Sequence, residues 1–146
     1  MSVVKLSVHT DILVDHLTHG GNGPSTLRIV MAKCFCYTTV FTAIELFSLA
    51  LTARERRYVA QAMNAMKILG LNAKSAMKFG EFYSDRASAS TLHILSAGVC
   101  VESRLPILTN RPQELRGVPG VKVIRGAAVT IGATPAEILS TATLLS

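Results

Sequence analysis

Val8-His9-Thr10-Asp11-Ile12-Leu13-Val14-Asp15 is the stretch on which the fold turns. It joins a short β-prone run, Val3 to Val8, to a helical segment without a loop between them. Thr10 is placed to cap that helix, and Asp11 sits in its first turn, where the helix dipole favours negative charge. A strand that feeds straight into a helix is the opening unit of a parallel sheet covered by helices.

The same unit recurs downstream. Gly20-Gly21-Asn22-Gly23-Pro24 is a loop, followed by a helix expected over Pro24 to Ala32 and a strand over Cys34 to Thr38. Thr38 and Thr39 offer a cap for a helix running to about Ala50, with Glu45 in its middle. Thr52, with Glu55 three residues on, opens the next helix with a capping box. In that helix Val59, Met63, Met66 and Leu69 recur at helical spacing. Further helices are expected from Leu71 to about Ser88 and from Leu92 to Ser103. Strands follow at Leu105 to Thr109 and Val121 to Ile124. The spacing predicts an α/β domain, residues 1–125, with a central parallel sheet. The remaining residues, 126–146, form an extension with one short helix from the Thr134-Pro135-Ala136-Glu137 capping box to about Leu145. In parallel sheets, function gathers at the carboxyl ends of the strands. His9, Thr10 and Asp11, then Thr38, Thr39 and Glu45, then Thr109, Asn110 and Arg111 are therefore the residues to interrogate.

Composition sets the bounds. With 146 residues, 49% of them hydrophobic and 16% charged, the chain is long enough for one well-packed core and excludes a disordered protein. The apolar excess, with Met63 and Met66, points to a homodimer. The net charge of +6 makes nucleic acid the first polyanion to consider. Arg54, Arg56 and Arg57 open one helix, and Arg104, Arg111 and Arg116 fall close together late in the chain. Cys34, Cys36 and Cys100 lack the spacing of a disulfide framework and are expected as buried free thiols in a reducing cytoplasm. The most apolar window, Cys36 to Ala53, carries Glu45 at its centre, which costs about 2.5–3.5 kcal/mol at mid-bilayer and argues against a membrane span. The first residues do not read as a signal peptide.

Four segments, in order, carry a family resemblance. Val8 to Asp15 resembles the opening of PIN domains, in which a strand ends in Asp-Thr-Asn/Asp. Tyr37-Thr38-Thr39-Val40-Phe41-Thr42-Ala43-Ile44-Glu45-Leu46 is similar to their second motif, whose helix carries a metal-binding Glu. Leu92-His93-Ile94-Leu95-Ser96-Ala97-Gly98 is similar to the third. Leu108-Thr109-Asn110-Arg111-Pro112-Gln113-Glu114-Leu115, with Gly120 to Ile124 behind it, is similar to the fourth motif and last strand. The match spans about residues 3 to 125. It implies a three-layer α/β/α sandwich and, for the VapC-like toxin type, an Mg²⁺- or Mn²⁺-dependent endoribonuclease, homodimeric and paired with an antitoxin protein. Such chemistry needs carboxylates converging on hard cations that activate water and stabilise charge on the scissile phosphate.

The acids are mostly replaced. The leading Asp of the first motif falls on His9, the Asp of the third on His93, and the acidic or amide position of the fourth on Arg111. Glu45 is kept, and Asp11 falls on a supporting position. The resemblance therefore makes Glu45 and Asp11 the candidate catalytic residues, and Glu45, Asp11, His9 and His93 the candidate metal ligands. Arg111, Thr109, Asn110 and Thr38 are the candidate RNA contacts. Three readings stand side by side. The site is silent as an Mg²⁺ nuclease; or His9, Glu45 and His93 hold a softer divalent metal, since imidazole suits Zn, Ni or Fe; or the cleft has become a metal-free anion site in which Arg111 pairs with Glu45 and grips a phosphate. The plainer account of His9 and His93 is as hydrogen-bonded, partly buried histidines. Asp15 and His16 are expected to face solvent. Glu81 and Asp85 are expected as surface charges, one of which can lean into the cleft. The function expected is that of a VapC-like toxin with a lost or altered metal site, or of an inactive PIN module binding RNA or a protein partner.

Overall fold

The computed structural model describes residues 3–84 and 91–145. Six strands form one sheet: β1 (Lys5–Val8), β2 (Phe35–Thr39), β3 (Lys67–Leu69), β4 (Ile107–Leu108), β5 (Lys122–Ile124) and β6 (Thr143–Leu144). Their order is β3-β2-β1-β4-β5-β6, with every pairing parallel except the antiparallel β5–β6 edge. The chain leaves β1 toward β2 and β3, then returns to place β4 on the other side of β1. That reversal makes a crevice beside the carboxyl end of β1, the place where open α/β sheets bind ligands. Alternation along the strands splits the interior in two. Leu6, Val8, Leu108 and Ile124 pack into one core, while Ile107 and Val123 join Ile94, Ala97, Cys100 and Val121 in the other. Helices must cover both faces, because both are apolar. The result is a three-layer α/β/α sandwich.

The helices are α1 (Thr10–Leu17), α2 (Thr26–Met31), α3 (Val40–Leu49), α4 (Ala53–Asn64), α5 (Ala73–Ser84), α6 (Thr91–Glu102) and α7 (Pro135–Ser140). Several start where the sequence places a cap. Thr39 Oγ1 accepts from the Thr42 amide, and the Thr52/Glu55 and Thr134/Glu137 capping boxes are both closed. Thr10 is an exception. His9 occupies the cap position of α1 without a side-chain cap bond, and the Thr10 hydroxyl is used elsewhere, as shown below.

Two strands depart from the sequence reading. Met66 and Leu69 do not continue α4. The helix ends at Asn64, and Lys67–Leu69 pairs with Tyr37–Thr39 as the edge strand β3. Val59 and Met63 alone bury the helix face. In the tail, α7 stops at Ser140 rather than running to Leu145, and Thr143–Leu144 pairs with β5 while the Leu145 amide donates to Val121 O at 2.7 Å. Ile138 is completely buried in the main core, so residues 126–145 dock on the sheet that precedes them. Lys33 holds this tail by donating to the carbonyls of Thr130, Ile131 and Ala133.

Met63 and Met66 are 5% and 9% exposed and belong to the chain's own core, so they are not free for an interface. The exposed apolar side chains include Ile44, Leu49, Leu51, Ile68 and Met77. The three cysteines are free and buried. Burial pushes the thiol of Cys36 up to about 12 and that of Cys100 up to about 11. The side chains of Glu81 and Asp85 lie outside the described residues. No helix among those described is long and apolar enough to cross a membrane.

Candidate functional site

The carboxyl ends of β1, β2 and β4 deliver the side chains of interest to one crevice. His9 follows β1 and is 2% exposed. Glu45 lies one and a half turns into α3 and His93 in the first turn of α6. Arg111 precedes a 3-10 turn, Pro112–Leu115, that follows β4 and carries Glu114. Beside them opens a cleft of about 330 Å³ lined by Thr10, Asp11, Val14, Asp15, Glu45, Leu49, Asn110, Arg111 and Glu114.

Three carboxylates of the crevice, Glu45, Glu114 and Asp11, already have partners. Glu45 Oε1 accepts the Thr10 hydroxyl at 2.8 Å, and His93 Nε2 stands 3.3 Å from both Glu45 oxygens. Glu114 Oε1 lies 3.1 Å from His9 Nε2, and its Oε2 lies 3.8 Å from Arg111 Nη1. Asp11 uses both oxygens, accepting from the Thr109 hydroxyl at 2.8 Å and the Asn110 amide at 2.7 Å. A carboxylate only accepts, so each imidazole presents an Nε2–H to its acid. The two rings meet edge-on, centroids 5.1 Å apart and planes at 66°. The site is therefore a pair of imidazole–carboxylate couples standing side by side. Burial pushes the His9 imidazole below its ordinary value, against the opposing pull of Asp11 and Glu114 and with a further push from His93.

Behind Glu45 runs a buried file of hydroxyls. Thr39 Oγ1 and Ser96 Oγ are 2.7 Å apart, Thr42 Oγ1 lies 3.5 Å from Ser96 Oγ, and Thr10 Oγ1 lies 3.3 Å from Thr42 Oγ1. This file ties α1, α3 and α6 together and fixes the Glu45 side chain. It explains why an acid sits in an apolar helix: the file positions the Thr10 hydroxyl, which donates to Glu45.

Placement corrects several expectations. Arg111 pairs with Glu114 and not with Glu45, and its side chain is 64% exposed. Thr38 and Thr109 are completely buried. Their hydroxyls donate to Val8 O and to Asp11, so neither is available to nucleic acid. Asn110 is exposed at its backbone, but its side-chain oxygen accepts the Gly126 amide at 2.9 Å. It closes the loop after β4 against the one after β5. His16 does not simply face solvent: its Nδ1 lies 2.6 Å from the Ser25 hydroxyl. Glu114 is the residue that the sequence reading passed over. It lies within the quoted fourth segment, three residues after Arg111, but only the 3-10 turn brings it back under His9.

Mg²⁺ demands oxygen ligands in near-octahedral array. The residues present do not fit it: of the four family positions His9, Glu45, His93 and Arg111, two are imidazoles and one is a guanidinium, and both oxygens of Asp11 already accept hydrogen bonds. The field of the cleft is not that of an anion site either. Among the described residues, Asp11, Asp15, Glu45 and Glu114 line it against one cation, Arg111. That arrangement repels a phosphodiester backbone.

No family model and no curated protein matches this sequence. Its fold is matched by solved structures. VapBC2 from Rickettsia felis, bound to a DNA fragment from their promoter, superposes with a TM-score of 0.67 at 14% identity, covering 84% of this chain and 98% of that one. VapBC-1 from nontypeable Haemophilus influenzae gives a TM-score of 0.67 at 11% identity, covering 85% and 99%. VapBC-5 from Mycobacterium tuberculosis gives 0.54 at 18%, covering 84% and 98%. The fold is that of a PIN-like α/β/α domain. More particularly, it is the VapC-like form of that fold found in VapBC toxin–antitoxin complexes.

Proposed function

We propose that this chain is the toxin-side, VapC-like member of a toxin–antitoxin type pair whose Mg²⁺-dependent endoribonuclease chemistry has been lost, leaving a domain that binds a protein partner. The observation that carries this reading is the engagement of Asp11, Glu45 and Glu114 by donors from the chain itself. Hydrolysis of RNA in this fold would need a hard cation to activate water and to neutralise the phosphate. Donors from the chain satisfy these carboxylates where the ion would stand, and with imidazoles at His9 and His93 and a guanidinium at Arg111 the crevice holds a hard cation poorly.

A partner protein is favoured over RNA by the surfaces available. A groove between α1, α3 and α4 is lined by Val14, Leu17, Leu46, Leu49, Ala50 and Tyr58. Beside it Leu51 is 85% exposed. Apolar surface of this kind suits the side chains of a docked segment. Arg56 and Arg57 on exposed positions of α4 would complement an acidic one. Homodimerisation belongs to the same reading, with Ile44, Ile68 and Met77 as the exposed apolar candidates. The test is incubation of the pure protein with single-stranded and structured RNA under Mg²⁺ and Mn²⁺, beside a Glu45→Ala control. Intact RNA in every lane is expected. Cleavage that disappears in the control would refute the loss of activity.

A further inference from the structure

We propose that His9, His93 and Glu114 form a binding site for one divalent cation of the zinc class. The proposal rests on the reading above that the crevice no longer suits Mg²⁺, and it assigns the replaced residues a ligand of different chemistry.

The geometry comes first. One ligand atom from each of the three residues lies within 4.8 Å of the others. In a tetrahedral zinc site, with Zn–N and Zn–O bonds near 2.0–2.1 Å, ligand atoms stand about 3.3 Å apart. The His9 Nε2 to Glu114 Oε1 separation of 3.1 Å already matches that edge. His93, whose side chain is 14% exposed and meets the His9 ring edge-on, has its ligand atom within 4.8 Å of both and must close the remaining distance. Glu114 is carried on a 3-10 turn and is 24% exposed, so the ion has a path in from solvent.

The donor set then chooses the ion. Two imidazoles and one carboxylate favour borderline metals such as Zn²⁺, Ni²⁺ or Co²⁺ over Mg²⁺, which imidazole serves poorly. Three protein ligands leave a fourth position for water, as in open zinc sites. Coordination requires a lone pair on each ring nitrogen that binds, so the His9 proton moves from Nε2 to Nδ1 and the ion takes the place it holds between that ring and Glu114. Glu45 is then released by His93 but keeps Thr10, and the negative lining of the cleft draws a cation in. His9 is the anchor. A nearly fully buried imidazole is held rigidly by its packing, and a rigid first ligand lowers the ordering cost of the other two.

Chelator-treated full chain is titrated with Zn²⁺ by calorimetry and with Co²⁺ by visible absorption, which reports tetrahedral geometry. We expect one ion per chain with a dissociation constant of about 10⁻⁶ M or below. His93→Ala and Glu114→Gln, both at partly exposed side chains, should each weaken binding at least about tenfold while leaving the protein folded by circular dichroism, a loss of one ligand being worth that much or more. His9→Ala is avoided because that residue is buried. Failure to bind Zn²⁺, binding indifferent to both variants, or displacement of Zn²⁺ by millimolar Mg²⁺ overturns the proposal. The RNA assay fails independently. Mg²⁺-dependent cleavage would sink the loss-of-activity reading whatever the Zn²⁺ titration shows.

Discussion

Replacing Asp11 with alanine separates a structural acid from a catalytic one. Asp11 stands in the first turn of α1 and reaches across to the loop after β4, accepting from Thr109 and from the Asn110 amide. Hydrogen bonds to a charged acceptor contribute about 1.5–3 kcal/mol each. The two are not equal here. The Asn110 site is exposed, so water can replace the lost oxygen there. Thr109 is completely buried, and its hydroxyl would be left without an acceptor. Loss of a favourable charge in the first helical turn adds about 0.3–1 kcal/mol. The sum for Asp11→Ala is about 2–4 kcal/mol of lost stability, a lowering of Tm by roughly 10 °C for a domain of this size. Asp11→Asn keeps one acceptor oxygen and should lose about half as much. Urea unfolding at neutral pH reads both, with the slope of the transition unchanged. An Asp11→Ala protein within about 0.5 kcal/mol of the parent would refute the reasoning, because changes of that size are typical of unpartnered surface sites.

Acidification should weaken the fold. Burial lowers the pKa of both His9 and His16 from 6.5, with Arg28 and His19 adding to the effect at His16. The unfolded chain therefore binds more protons than the native one. This stability is present above the unfolded value and is lost as pH falls below about 6.5 toward the lower native values. A metal-free protein whose urea midpoint is flat from neutral pH down to about 5 would contradict it. Thr39→Ala removes the α3 cap and the Ser96 partner together and should cost about 1–2 kcal/mol, read by the same unfolding curves. Gly126→Ala places a Cβ 2.8 Å from the Asn110 amide nitrogen and 2.9 Å from its oxygen. It should break the Asn110–Gly126 bond at a cost of about 1 kcal/mol, and protection of the Gly126-position amide from hydrogen exchange should fall. Cys36 and Cys100 should resist a thiol reagent in the native protein, since burial keeps their thiols protonated, and react at once on unfolding.

Much of this fold can be read along the chain, because its signals are local. The Val8–Asp15 stretch passes from strand to helix, and the Thr39, Thr52 and Thr134 caps lie where the structure uses them. What escapes is set by pairing at a distance. Lys67-Ile68-Leu69 continues the helical rhythm of α4, and only the free edge of β2 turns it into a strand. Thr143–Leu144 is likewise a strand only because β5 has an edge to offer. The site divides in the same way. His9, Glu45 and His93 meet as the segment order implies. The partnership of His9 with Glu114 and the commitment of Asp11 to Thr109 depend on how the loop after β4 folds back, which no spacing in the sequence encodes.

The central claim is that this crevice has exchanged hard-metal chemistry for internal hydrogen bonds. Calorimetric titration of the full chain with Mg²⁺, paired with the RNA incubation, tests it most directly. The account predicts no saturable Mg²⁺ binding tighter than about 1 mM and RNA left intact. Saturable Mg²⁺ binding below that concentration, abolished by Glu45→Ala together with RNA cleavage, would contradict it.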